Sequence, residues 1–130
     1  MPEHRLAGGQ PRPGLASVTA YRSGEAEVLA LGGDIDMATS PQVAAGVHHC
    51  LADRPAVLVV DLTAVTFLGS AGLAALVQAH DAAGEQVSVR VVAANRVVWH
   101  PIELTGLGKK LAVYGSLEQA LAGSGRLGQP

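Results

Sequence analysis

The run Ala56-Val57-Leu58-Val59-Val60 constrains this chain more than any other segment. Apolar residues without alternation leave no face for water, so they read as a strand covered on both sides, as in a parallel sheet between helices. Beyond Asp61 the sequence reads as a short polar-to-apolar loop, with Ser70 at the threshold of a helix. From residue 70 to about residue 83, Leu73, Leu76, Val77 and His80 recur on one helical stripe that Gly84 closes.

The same punctuation recurs along the chain. Residues 17–22 and 27–31 read as a hairpin around Ser23-Gly24-Glu25. Gly32-Gly33-Asp34 is expected to break the second strand, with Ile35-Asp36 following. Ser40-Pro41 reads as a helix start, Ser capping the free amides and Pro at the first helical position. Val43, Val47 and Leu51 follow at helical spacing, and Arg54-Pro55 ends that helix. Residues 87–92 predict a further strand. Residues 95–105 form a weak helix stopped by Gly106, and Pro101, which costs about 3 kcal/mol inside a helix, predicts a kink or a helix start near it. Residues 111–114 predict a last strand, and Ser116 caps a short helix carrying Leu117, Ala120 and Leu121. The expected order is β-β-α-β-α-β-α-β-α, an α/β fold with largely parallel neighbours.

Composition narrows the function classes. A chain of 130 residues fits one domain, and with 48% hydrophobic but only 3% aromatic residues its core must be Val, Leu and Ala. A net charge of −2 offers no basic footprint for nucleic acid and no basic run for a membrane surface. No apolar stretch approaches the ~18 residues of a membrane span. The single cysteine, Cys50, excludes an internal disulfide and suits a reducing cytosol. Residues 1–15, with Pro2, Pro11, Pro13, Gly8, Gly9 and Gly14, are expected to be a flexible arm without the apolar core of a signal peptide. Residues 16–122 are the expected domain and residues 123–130 a flexible tail. The expectation is a small soluble cytoplasmic α/β domain.

Certain residues then resemble a known family. Gly33-Asp34-Ile35-Asp36, the strand ending in Asp61, Phe67-Leu68-Gly69-Ser70-Ala71-Gly72-Leu73 and Leu104-Thr105-Gly106-Leu107 are similar to a STAS domain, closest to the bacterial anti-sigma factor antagonists. The resemblance covers residues 17 to about 121. It implies a STAS-like single domain, a central mixed sheet of about five strands with about four helices against it. It also implies a switch: the antagonist binds an anti-sigma factor, a serine kinase, and so frees a sigma factor for transcription. The kinase phosphorylates one serine at the start of the second helix, and a serine phosphatase resets it. By position that serine is Ser70. The expected partner-binding residues are Asp36, Leu68, Gly69, Ser70, Ala71 and Gly72, with no catalytic residue, cofactor or metal, in a monomer or weak homodimer. The family's site commonly reads Asp-Ser-Ser/Thr-Gly. Gly69-Ser70-Ala71-Gly72 keeps the acceptor but not the acid before it or the second hydroxyl.

The chemistry of the position agrees with a switch. A helix start carries roughly half a positive charge and free amides, so its own helix accepts a phosphate there. The added charge of about −1.5 to −2 would stand on a surface lined by Leu68, Gly69, Ala71 and Gly72. Without a partner, Ser70 is an ordinary N-cap worth about 1 kcal/mol. Asp34, Asp36 and Asp61 offer an acidic site with metal affinity; the favoured reading is that Asp36 and Asp61 finish strands and organise turns, Asp61 beside the Ser70 loop. His48-His49-Cys50 resembles a metal cluster, but consecutive helical residues point to different sides. Cys50 reads as an inert helical thiol, and His80 and Trp99 as packing or interface residues. Two alternatives remain: a STAS scaffold or small-ligand sensor without phosphoswitching, and, less favoured, a serine-dependent hydrolase. For the hydrolase, Leu68 stands where the first glycine of Gly-x-Ser-x-Gly belongs, and no phosphate-binding Gly-x-x-x-x-Gly-Lys-Ser/Thr exists.

Overall fold

The apolar run lies at the centre of a five-stranded sheet whose strand order follows chain order. In the computed structural model, which describes residues 16–128, it belongs to β3 (Val57–Leu68), between β2 (Ala26–Ile35) and β4 (Ser88–Val92). Both neighbours run parallel to β3. β1 (Ser17–Ser23) pairs antiparallel with β2 at one edge, and β5 (Ala112–Tyr114) pairs parallel with β4 at the other. Leu58, Val59 and Val60 are wholly buried, which is why the run carries no alternation.

Parallel neighbours require crossovers, and helices supply them: α1 (Ser40–Leu51), α2 (Ser70–Ala83) and α3 (Arg96–Leu104). A 3-10 turn, Leu107–Lys109, precedes β5, and α4 (Leu117–Ala122) follows it. Leu29, Leu58, Val60, Val91 and Val113 meet Val43, Leu76 and Val98 of the first three helices in one large core. The opposite face is thinner: Val28, Val59, Val92 and Tyr114 lie with Ala120, Leu117 and Leu121 of α4. The element order, mixed sheet and four helices agree with the sequence reading. No helix among the described residues is long and apolar enough to cross a membrane.

Four local expectations are corrected. Gly32-Gly33 does not break β2, and the expected loop after Asp61 is strand, because the two segments pair with each other as far as Ile35↔Leu68. Their register shifts twice, and Gly33 takes φ of 79°, so the glycines accommodate bulges rather than end the strand. At α1 the cap position is Thr39, with Ser40 the first helical residue. The buried Thr39 hydroxyl donates to the Asp34 carbonyl (2.7 Å) and accepts from the Asp36 amide (2.9 Å). At α3 the helix begins at Arg96, where the Asn95 side chain accepts from the Val98 amide (3.3 Å), and runs through Pro101. Val98 and Ile102, both wholly buried, hold that helix to the core despite the missing proline N–H. The Ser116 hydroxyl caps α4 as expected, accepting from the Gln119 amide at 3.1 Å.

Residues 123–128, expected as part of a flexible tail, run back along β5. The Leu127 amide donates to the Val113 carbonyl (2.6 Å), and Arg126 forms an antiparallel bridge to Tyr114. Leu127 joins the main core. The expected N-terminal arm, residues 1–15, lies outside the described residues, as do residues 129–130.

The thin face depends on α4, and Arg90 of β4 ties that helix down. Its guanidinium donates to the carbonyls of Ala120 (2.7 Å) and Leu121 (3.3 Å) at the C-terminal end of α4. Arg90→Met keeps the apolar stem and removes those bonds. It should cost about 2 kcal/mol, read as a lowered urea midpoint with unchanged slope.

Candidate functional site

β2 and β3 outrun their neighbour: the last β3–β4 pair is Asp61↔Val92, whereas β2 and β3 stay paired seven residues of β3 further, to Leu68. The result is a two-stranded ribbon projecting at the C-terminal end of the parallel strands, the usual place for function in such sheets. The Gly69 amide donates to the Ile35 carbonyl (2.9 Å), joining the two strand ends. The Gly69 carbonyl accepts from Leu73 (3.0 Å), so α2 starts at the ribbon's tip.

This geometry corrects the role of Ser70. Gly69, in extended conformation, occupies the cap position and Ser70 is the first helical residue. No side chain caps α2, and the Ser70 hydroxyl makes no hydrogen bond among the described residues. Ser70 is exposed, beside the unpaired amides of the first turn, and that turn carries no acidic side chain. A free hydroxyl is thus offered to solvent where negative charge is favoured.

The other expected partner-binding residues separate into two groups. Leu68 and Gly72 are buried and turned inward. A Cβ on Gly72 would lie 2.6 Å from Leu68 Cδ1 and 2.8 Å from Ile35 Cγ2, so this glycine serves helix-on-strand contact rather than a docking surface. Asp36, Gly69 and Ala71 are half-buried and lie at the tip with Ser70. The Asp36 carboxylate is engaged locally, one oxygen accepting from the amides of Ala38 and Thr39 at 3.0 Å each. Asp34 likewise accepts from the Thr66 hydroxyl across the ribbon (2.8 Å).

Two residues at the tip escaped the sequence reading. Phe67 is 52% exposed and Met37 82% exposed, although both are large and apolar. The Phe67 ring lies against Gly69: a Cβ there would stand 3.0 Å from ring atom Cε2. The available signal was the sole phenylalanine three residues before the serine, where the family pattern's acid is replaced by glycine.

Elsewhere the candidates disperse. Asp61 lies where β4 stops, seven strand residues before Leu68, about 23 Å from the ribbon's tip at about 3.3 Å per residue. It is therefore not beside the Ser70 loop, and its carboxylate accepts from Thr63. His48 and His49 are exposed and Cys50 is buried, so the three do not converge. Among the described residues no three His, Cys, Asp or Glu side chains are grouped to hold a metal. Burial pushes the Cys50 thiol up to about 11, with the Glu27 carboxylate adding to the shift. His80 is half-buried on α2. Trp99 packs against the core, its ring 3.1 Å from where a Gly108 Cβ would stand.

Comparison with known proteins matches this arrangement to one family. A family model described as STAS domain matches residues 17–120. The anti-sigma-F factor antagonist RsfB of Mycobacterium tuberculosis is 38% identical over 111 residues, which are 85% of this chain and 91% of that protein. A crystal structure of an anti-sigma factor antagonist from Mycobacterium paratuberculosis superposes with a TM-score of 0.80 at 35% identity, over 83% of this chain and 92% of that one. An anti-sigma-factor antagonist (STAS) domain protein from Planctomyces limnophilus reaches 0.67 at 14% identity, over 82% and 96%, a likeness of fold alone.

The site makes two stability predictions. Gly72→Ala should destabilise by about 2 kcal/mol in urea unfolding, because overpacking outweighs the helix propensity gained. Ser70→Ala should stay within about 0.5 kcal/mol of wild type, since no bond is lost; a cap serine would cost about 1 kcal/mol. The thiol makes a third. Between pH 9 and about 11 the unfolded chain loses its Cys50 proton while the folded chain keeps it, so this group removes stability as pH rises through that window. At pH 8 the native thiol should react with a disulfide reagent far more slowly than in urea, and Cys50→Ala should flatten the stability loss above pH 9.

Proposed function

The chain belongs to the STAS domain family, and from that membership we propose that it is an anti-sigma factor antagonist that docks an anti-sigma factor through the ribbon tip around Ser70. The observation that carries this reading is the exposed, unbonded Ser70 hydroxyl at the first turn of α2, flanked by the exposed side chain of Phe67. The exposed apolar side chains beside Ser70 suit a partner that excludes water from them, with the Asp36 carboxylate held at their side by the Ala38 and Thr39 amides. Met37 and Phe67 supply the contact area, and the half-buried Gly69 and Ala71 allow close backbone approach.

Within the same proposal the anti-sigma factor is a serine kinase, and phosphorylation of Ser70 ends the complex and returns the sigma factor to inhibition. A phosphatase restores the free hydroxyl. Because Ser70 does not cap α2, the phosphate removes no structural bond, and the first-turn amides can accept it. The domain stays folded while a partner shaped for a neutral Ser70 hydroxyl meets a charge of about −2. Each 1.4 kcal/mol of that mismatch is about tenfold in affinity.

A second reading, a STAS scaffold whose serine is never phosphorylated, draws on Gly69 and Ala71. These stand where the family pattern commonly has an acid and a second hydroxyl, and the Phe67 ring occupies the space beside Gly69.

The two separate in one experiment on purified anti-sigma kinases encoded in the same genome. Wild type and Ser70→Ala should bind one of them alike, and Ser70→Glu should bind at least about tenfold more weakly. That kinase should transfer phosphate to wild type at Ser70, mapped by mass spectrometry. Equal binding by all three proteins would reject the switch. Binding without transfer would establish the scaffold.

A further inference from the structure

The two edges of the sheet are finished differently. Along β5 the chain returns, with Arg126 bridged to Tyr114 and the Leu127 amide bonded to Val113. Along the outer side of β1, no strand runs among the described residues. β1 also lacks the devices that blunt an open edge. Its register with β2 is unbroken from Ser17↔Gly32 to Ser23↔Ala26, and it holds no proline and no lysine. Its one charge, Arg22, is neutralised within the chain by Glu27 at 3.4 Å. Thr19, Ala20, Tyr21 and Arg22 are all exposed.

We propose that β1 pairs antiparallel with β1 of a second copy of this chain about a two-fold axis at Ala20, joining two five-stranded sheets into one. The register follows from backbone geometry. On an edge strand every second residue turns its N–H and C=O outward, and in antiparallel pairing outward residues face outward residues. A self-pairing axis therefore falls on a residue, never between two. With the axis on Ala20 the whole of β1 is used; moving it by one residue either way leaves part of the strand unpaired. Ser17 then faces Ser23 of the second copy, Val18 faces Arg22 and Thr19 faces Tyr21. The small residue lies on the axis, β-branched Thr19 meets an aromatic ring, and the two Arg22 side chains are kept apart. The contact is isologous, so it closes at two copies rather than building a fibre. β1 ends at Ser17, opposite Gly32, short of the ribbon tip, so Ser70 stays open on both copies.

The test uses the full chain. In Ala20→Cys the axis residue meets its own twin at a Cα separation of about 4.5–5.5 Å, within disulfide reach. In Arg22→Cys the twins lie about 14 Å apart, because each faces position 18. Cys50 is buried and does not compete. Under mild oxidation Ala20→Cys should form a covalent dimer at least about tenfold faster than Arg22→Cys. Sedimentation equilibrium of wild type, over about a hundredfold range of concentration, should show reversible dimerisation. Ala20→Lys should stay monomeric with an unchanged circular dichroism spectrum. Equal cross-linking rates for the two cysteine variants would overturn the proposal, and so would a wild type that stays monomeric throughout. A monomer in which the β1 amides turned away from β2 resist hydrogen exchange would also overturn it, by showing that another part of the chain lies along this edge.

Discussion

Two close contacts fix where α2 begins: the Gly69 amide on the Ile35 carbonyl, and the hydrogen-only face of Gly72 against Leu68 and Ile35. The first joins the ends of β2 and β3; the second lets the helix leave the strand at once, with no side chain between them. Together they do what a side-chain cap does elsewhere, orienting the first turn through the backbone of the sheet. Ser70 itself therefore carries no structural bond, and in the proposed switch its modification would take none from the fold.

The sheet also explains why this turn projects. β4 stops at Val92, opposite Asp61, while β2 and β3 continue as a pair with both register shifts in or next to that stretch. Such a ribbon has less core behind it than the central strands. It is kept in register by the Asp34–Thr66 hydrogen bond and by the turn that Asp36 and Thr39 build at the start of α1. The acidic residues of this region therefore serve the ribbon's geometry, their carboxylates turned to local amides and a hydroxyl.

The central sheet was legible because its signals are local. The largely β-branched run from Val57 to Val60, bounded by Pro55 and Asp61, favours buried strand, and Ser116 three residues before Gln119 is a cap wherever a helix follows. The ribbon was not legible, since from Thr63 to Leu68 the buried positions fall three apart, at Val65 and Leu68, and a bulged strand has lost the alternation by which strands are read. For a tertiary reason the helix does not wait to start near Pro101: burial of Val98 and Ile102 outweighs one absent hydrogen bond. At the site, Ser70 was legible through its motif. Leu68 and Gly72 share that motif yet face inward, and motif membership cannot say on which side of the backbone a residue lies. Phe67 and Met37 were missed for the converse reason, because an apolar residue in an apolar chain reads as core until its exposure is seen.

Gly69 links these threads. In the family pattern the serine commonly follows an acid, whose negative charge would already stand at the helix start. Here glycine leaves that place to the Phe67 ring, so the position directly before Ser70 is apolar where an acid would have made it anionic. In the proposed switch a phosphate at Ser70 would bring the first negative charge to this place rather than add to one. A partner that desolvates an aromatic ring and a neutral hydroxyl gains from their burial, and loses all of it when the same pocket must take a doubly charged group. Removal of the acid thus weakens any recognition that depends on it and sharpens the discrimination that a phosphate at Ser70 would impose.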